Sequence, residues 1–409
     1  MISLIKNISL IFIIFVLIIF KIANFFIKIK FSTVQFSRIG GVYHLDWQLS
    51  KKKKLDINII YIFLYSDKNN IANKYWRDLW KKQVQIIKVP HFIIFIINNL
   101  KKYSFFDDVL LKRQPVNIIG KKLHLFQKNK SNNLIRNNDI FLKHILSNRD
   151  PNIEINHNDM IKGERLLNKI GIRNNSKIVC IHNRDSAYLK SVNDQINWDY
   201  HNYRDFNIKD YELTVFELIK RGYTVVRIGS ITEGIININN LNYIDYSNSQ
   251  FRSDFLDIFL LKKCEFFISS DSGISAIAEI LRKPIVYVNK SLHWENHRWV
   301  FEAIVIYKKF YSKKMQRLLT FEECYNLRIG STDTNDVLKE QCIEIQNNTP
   351  EEILNAVIEM EEYLKNKIFY NDEDNNLQSR YWNIFKPNDL RSKNFRLGRH
   401  YLQNYKILL

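Results

Sequence analysis

From residue 159 onward the chain alternates short apolar runs with helical stretches, two of them closed by glycine, and this alternation limits the fold more than any other feature. Asp159 to Ile170 reads as a helix ending at Gly171, a residue suited to a left-handed cap. Lys177 to His182 reads as a strand, Ile208 to Arg221 as a helix closed by Gly222, and Tyr223 to Ile228 as a strand. Ser253 to Lys263, Glu265 to Ser269, Ile274 to Arg282 and Ile285 to Val288 continue the series as helix, strand, helix, strand. Strands separated by helices of this length form a parallel, doubly wound sheet, and such sheets bind ligands beyond the carboxyl ends of their strands. Functional residues are therefore expected at His182, at Gly229, and from Ser269 onward.

The first half repeats the alternation less cleanly. Ser32 to Ser37 reads as a strand with Arg38-Ile39-Gly40-Gly41 as its exit loop, and Val42 to Leu49 as a helix. Ile57 to Tyr65, Ile71 to Lys82 and Val84 to Ile87 follow as strand, helix and strand, with Tyr75, Trp76 and Trp80 as core aromatics. A chain of 409 residues exceeds one ordinary core. The polar, Asn-rich stretch from Asn129 to Asn158, with its Asp150-Pro151 turn, places a boundary near residue 160. The expected fold class is α/β: two Rossmann-like, doubly wound domains at 31–160 and 161–370, after an N-terminal hydrophobic anchor helix at 1–30. Thr349-Pro350-Glu351-Glu352 opens a helix through Leu364, and Phe395 to Tyr405 reads as a terminal helix. The tail at 371–409 is expected to pack back on the N-terminal domain.

Ile8 to Phe20 is almost wholly apolar, and the pattern runs on to Ile27. A bilayer span needs about 20 residues, so this segment crosses only if Lys21 snorkels and Asn24 lies near the headgroups. No small-residue cleavage site follows it, which points to an uncleaved anchor. Lys6 precedes the segment while Lys21, Lys28, Lys30 and Arg38 follow, placing the body on the cytoplasmic side of the inner membrane. An interfacial, monotopic helix that never crosses is the alternative. Cys180, Cys264, Cys324 and Cys342 are far apart and form neither a zinc pattern nor a disulfide framework, in keeping with a reducing compartment.

The formal charge of +19 raises nucleic acid as a partner, but no basic stripe with interleaved aromatics appears, and nucleic-acid binding is not expected. The run Lys51 to Lys54 reads as a solvated loop.

Chemistry concentrates at a few strand ends. Phe266 to Ser269 delivers the chain to Ser270, Asp271, Ser272 and Gly273, with a helix following. Unpaired backbone N–H groups and the dipole at such a helix start receive diphosphate oxygens, and Ser270 and Ser272 add hydroxyls. A plain N-cap is the competing reading. Glu279 on the same helix is a candidate for the ribose or base. At the end of another strand, His182-Asn183-Arg184-Asp185 offers a guanidinium able to hold phosphate bidentately, or one paired structurally with Asp185 or Asp205. Tyr203 and Arg204 precede a helix nearby, and Arg227 and Gly229 lie at the end of a third strand. Transfer of a group from a bound diphosphate to a hydroxyl needs a general base. Asp46, His44 and Asp185 are the candidates, although a capped turn and a solvated helix face explain the first two equally well. No Gly-x-Gly-x-x-Gly after a strand, Walker loop or His-Glu-x-x-His occurs, which removes nicotinamide, P-loop and zincin readings. No Asp-x-Asp follows a strand, so a metal-independent transfer with no cofactor beyond the donor substrate is expected.

Taken in order, several segments resemble bacterial glycosyltransferases of surface-polysaccharide gene clusters, a group similar to GT-B enzymes such as the heptosyltransferases. They are Phe36 to Gly40, Cys180 to Leu189, His201 to Arg204, Ser253 to Asp257, Ser270 to Gly273, Asn348 to Glu352 and Arg396 to Gly398. The resemblance spans nearly the whole chain beyond residue 30. It implies a nucleotide-sugar donor on the second domain and a glycan or lipid-linked acceptor facing the first. It also implies donor-diphosphate contacts at Asp271, Ser272 and Gly273, with Arg184 in the same role by analogy to His-x-Arg strand ends of fucosyltransferases. The family pattern has a His after Arg-Ile-Gly where this chain has Gly41, which leaves the base unassigned. The function expected is glycosyl transfer; a nucleotide-sugar epimerase of the same fold and a non-catalytic nucleotide-sugar or glycan-binding scaffold are the rivals.

Overall fold

The computed structural model describes residues 2–24, 26–55, 58–67, 70–111, 150–192, 199–292, 302–329, 334–384 and 395–409. Most of the Asn-rich stretch expected to mark the domain boundary, 129–149, lies outside them. The chain divides into two compact units, residues 1–134 with 150–155, and residues 135–149 with 156–409.

The first unit carries α1 (Ile2–Ala23), β1 (Lys28–Thr33), α2 (Tyr43–Leu55), β2 (Ile59–Tyr65), α3 (Lys74–Gln83), β3 (Gln85–Lys88) and α4 (His91–Leu100). Its three strands form a parallel sheet in the order β1-β2-β3, and a parallel bridge sets Leu110 against Phe31 of β1. The first strand lies earlier than the expected Ser32 to Ser37, because its pairing with β2 runs from Lys28↔Ile59 to Thr33↔Leu64. Asn73 caps α3 by accepting from Trp76 N, and Trp76, Leu79 and Trp80 form its buried face, as the helical spacing of aromatics predicts.

The anchor expectation needs correcting. Among the described residues no helix is long and apolar enough to cross a membrane. The side chains of α1 are described from Leu10 on, and Leu17 is buried in a cluster with Leu64, Ile96, Ile97, Leu100, Phe106, Val109 and Leu110. Packing on its own unit occupies part of the apolar surface that the sequence suggests for lipid.

The second unit contains α5 (His157–Lys169), β4 (Lys177–Ile181), α6 (Ala187–Val192), α7 (Glu212–Lys220), β5 (Tyr223–Arg227), β6 (Tyr243–Asp245), α8 (Asp254–Lys263), β7 (Phe266–Ser269), α9 (Ser275–Ile280), β8 (Ile285–Lys290) and β9 (Ala303–Tyr307). There follow β10 (Lys309–Ser312), β11 (Arg317–Leu318), α10 (Phe321–Asn326), α11 (Thr334–Glu340), β12 (Ile343–Gln346), α12 (Pro350–Leu364), α13 (Asp372–Ile384), β13 (Phe395–Leu397) and α14 (Arg399–Asn404). Seven parallel strands run in the order β13-β9-β8-β7-β4-β5-β6. Every residue of β5, β7, β8 and β9 is buried, the signature of a parallel sheet covered on both faces. The chain leaves β4 toward β5 and β6, then returns to the opposite edge of β4 with β7 and proceeds through β8 and β9. The order of strands thus reverses between β4 and β7.

The tail differs from expectation. Phe395–Leu397 is a strand, not the start of a helix, and it extends the second unit's sheet beside β9. Gly398 N donates to Val305 O at 2.9 Å, holding the chain extended until α14 begins at Arg399. The capping box at Thr349 and Glu352 is present as predicted.

Candidate functional site

The carboxyl ends of β4 and β7, neighbours at the reversal of strand order, bring two of the sequence-predicted segments together. Arg184 N donates to Ser270 Oγ at 3.1 Å, a contact between residues 86 apart in sequence. His182 N donates to Ile268 O at 2.9 Å just below it. Sheets of this kind open a crevice at the point of reversal, since the following connections diverge to opposite sides.

The turn after β7 is held by its own serines. Ser275 Oγ donates to Ser270 O at 3.0 Å and shares a 2.9 Å hydrogen bond with Ser269 Oγ. Ser272 is half-buried and Gly273 exposed. The helix expected to open at this turn starts only at Ser275 and ends at Ile280, so α9 has six residues and a small dipole. Asp271 faces inward, where it accepts from Lys290 Nζ at 2.8 Å, from Ser291 N at 2.6 Å and from the Ser291 hydroxyl. A register shift between Tyr287 and Lys290, at the end of β8, accompanies that approach. Both members of the Asp271–Lys290 pair are buried, and removing either would strand the other's charge at a cost of about 3–5 kcal/mol.

Beyond β4, the Arg184 guanidinium pairs with the Asp205 carboxylate, which realises the ion-pair alternative. Lys308, immediately after β9, donates to Asp205 O and to Asn347 Oδ1, each at 2.7 Å. Asp205 therefore ties Arg184 and Lys308 into one cluster. Burial lowers the Lys308 ammonium to about 8, opposed by the nearby Asp205 and Asp271 carboxylates. Burial also raises the Asp205 carboxyl, against the pull of Arg184 and Lys308. Arg204 lies over the Tyr203 ring, 5.6 Å from its centroid.

His182 behaves differently from a cationic ligand. Its Nδ1 meets Ile228 O at 2.9 Å, and a carbonyl only accepts, so Nδ1 carries the proton and Nε2 is left as an acceptor. Burial lowers its pKa to about 4, and the neutral ring follows.

Several candidates have structural occupations. Arg227 is fully buried, donating to Glu233 O at 2.8 Å and Gly234 O at 2.7 Å and pairing with Asp245 at 3.3 Å. It holds the connection between β5 and β6 and is not exposed to a ligand. Asp185 accepts from Ala187 N at 3.1 Å and Glu233 N at 2.9 Å, capping α6 and clamping the same connection. At Gly229 a Cβ would stand 2.5 Å from Thr232 Cγ2, which explains the glycine by packing. Glu279 accepts from the Tyr287 hydroxyl on β8. In the first unit, Asp46 is buried and accepts from Asn152 Nδ2 at 2.9 Å, while His44 stacks edge-on against Phe63 with ring centroids 5.6 Å apart. Neither presents the open carboxylate or imidazole that a base facing an acceptor requires.

No protein-family model matches this chain, and no curated protein does. Among solved structures, a glycosyl transferase of family 9 from Veillonella parvula is 10% identical, covers 81% of this chain and 97% of its own, and overlaps with a TM-score of 0.44. The ADP-heptose lipopolysaccharide heptosyltransferase II of E. coli is 11% identical with a TM-score of 0.37, over 68% of this chain and 90% of its own. The UDP-GlcNAc 2-epimerase of Methanocaldococcus jannaschii is 10% identical with a TM-score of 0.33, over 69% and 89%.

Lys290, Ser291 and Lys308 are absent from the sequence-derived candidates, yet they stand at the ends of β8 and β9 on the same edge of the sheet. A signal for Lys308 existed: the apolar run Ala303 to Tyr307 is a buried-strand pattern, and a lysine directly after such a run falls where ligands bind.

Proposed function

We propose that the protein is a metal-independent glycosyltransferase that takes a nucleotide-sugar donor at the β4/β7 reversal and moves the sugar to a hydroxyl of a surface-polysaccharide or lipid-linked glycan. The observation that carries this reading is the convergence of Arg184, Lys308 and the Ser270–Gly273 turn on one sheet edge, bridged by Asp205 and by the Arg184 N to Ser270 Oγ bond. Cations and hydroxyls there suit paired phosphate groups, and the short α9 leaves the side chains as the main source of positive charge.

In transfer, the bond between the sugar's anomeric carbon and the diphosphate oxygen breaks as the acceptor oxygen bonds to that carbon. The acceptor proton passes to a base, and negative charge grows on the departing diphosphate. Arg184 and Lys308 are placed to stabilise that charge, and the neutral His182 adds an acceptor for a donor hydroxyl.

A thermal-shift screen with GDP-, UDP-, ADP-, CMP- and dTDP-sugars tests the reading. One donor at a hundred times its Kd adds about 2.7 kcal/mol to stability and raises the midpoint. Release of the matching nucleoside diphosphate in the presence of membrane glycan extract then separates transfer from isomerisation, which leaves the donor as a nucleotide-sugar. Absence of a shift with all five classes defeats the proposal.

A further inference from the structure

The described part of α1 is apolar on two sides. Ile13, Ile14, Leu17 and Phe20 pack into the first unit's core with Ile93, Ile94, Ile96 and Ile97 of α4. Ile11, Phe12, Phe15, Ile18, Ile19 and Ile22 are exposed, several by more than half, and their spacing draws one continuous stripe along the helix. Phe26, Ile27 and Phe105 prolong this exposed surface past the end of α1, where Lys21 donates to Phe105 O at 2.7 Å. Phe95 on α4 is likewise exposed. Isolated exposed apolar residues are ordinary, but a stripe of this length marks an interaction surface.

We infer that this face docks α1 in the plane of an anionic lipid bilayer, with the helix lying along the headgroup boundary and its other side fixed to the protein. The occupant follows from charge. Residues 1–111 carry 17 lysines and arginines against six aspartates and no glutamate, and Lys21 stands over the Phe105 ring at the end of the stripe, 3.9 Å from Asp108. Two copies meeting through the same patch would bring the lysines together, whereas anionic headgroups neutralise them. Phenylalanines and isoleucines facing outward beside lysines are the composition of a surface-seated helix. The inference is independent of the donor site, and its test involves no nucleotide.

Flotation of the full-length protein with vesicles of phosphatidylcholine, with and without 30% phosphatidylglycerol, reads the binding directly. Wild-type protein is expected to float with anionic vesicles, and its bound fraction to fall several-fold when salt is raised or phosphatidylglycerol is omitted. The exposed pair Phe15→Glu and Ile19→Glu should lower binding at least tenfold while the circular-dichroism melt is unchanged. If that pair fails to fold, Ile11→Glu with Ile22→Glu alters the same stripe at its ends. Flotation of a folded variant equal to wild type overturns the inference. So does a wild-type protein that stays with the solution as a dimer and becomes monomeric in the variant, since the face is then an interface between copies.

Discussion

At the proposed donor site, Arg184 and Lys308 would hold an anion in different ways. Arg184 keeps its charge at any accessible pH and is pre-oriented by Asp205, so Arg184→Ala should weaken binding of the cognate nucleoside diphosphate by about tenfold to a hundredfold, measured by calorimetry. Arg184→Lys should recover only part of that loss, because an ammonium lacks the fork. Lys308 titrates at about 8, and only its protonated form attracts phosphate, so wild-type affinity should fall as pH rises through that value. In Lys308→Met the same titration should be flat between pH 7 and 9, with affinity at pH 7 reduced about tenfold. The sequence makes Arg184 and the Ser270–Gly273 turn legible, because polar residues directly after buried apolar runs have few other reasons to be there. It does not separate Arg184, which stands at the site, from Arg227, which is consumed by the carbonyls of Glu233 and Gly234. Both follow apolar strands. Only the path of the chain after the strand decides whether a guanidinium meets a ligand or its own backbone.

Elements were readable wherever one local signal fixed them. Thr349, Pro350 and Glu352 start a helix by themselves, and the caps at Asn73 and Ser253 act as local chemistry predicts. The strand β13 is not legible in the sequence, because it has no apolar run of its own and exists through pairing with β9, a contact some ninety residues distant that no local pattern carries. Gly398, next to it, has a packing reason. A Cβ there would stand 2.8 Å from Ile306 Cγ2, so Gly398→Ala should destabilise the second unit by about 1–3 kcal/mol, visible as a lower melting midpoint. The same joint contains Glu359 on α12, which accepts from Arg399 N at 2.6 Å and from the Tyr370 hydroxyl at 3.0 Å. Burial raises its carboxyl to about 7. The folded state then holds a proton that the unfolded chain has released above the ordinary glutamate range, and this stabilisation is lost as pH climbs through 7. Chemical denaturation of Glu359→Gln should show less decline between pH 5 and 8 than wild type, the difference being on the order of a few kcal/mol.

For the molecule as a whole, the donor-site candidates fall in the second unit and the candidate bases Asp46 and His44 in the first. Asp46→Ala should therefore cost about 1–3 kcal/mol of stability by removing one of the buried acceptors of Asn152 while leaving nucleoside-diphosphate affinity within twofold of wild type, the two being read by denaturation and calorimetry. The central strands β4, β5, β7 and β8 of the parallel sheet are legible from alternation alone, but the three-stranded antiparallel sheet of β10, β11 and β12 is not, since its strands are two to four residues long. The meeting of Arg184 with Ser270 closes a ring of chain, and β5, β6 and their connections all lie inside it. Asp205 sits on that same ring, so an insertion or deletion in the stretch would be felt at the ion pair as well as at the two strand ends that the stretch joins.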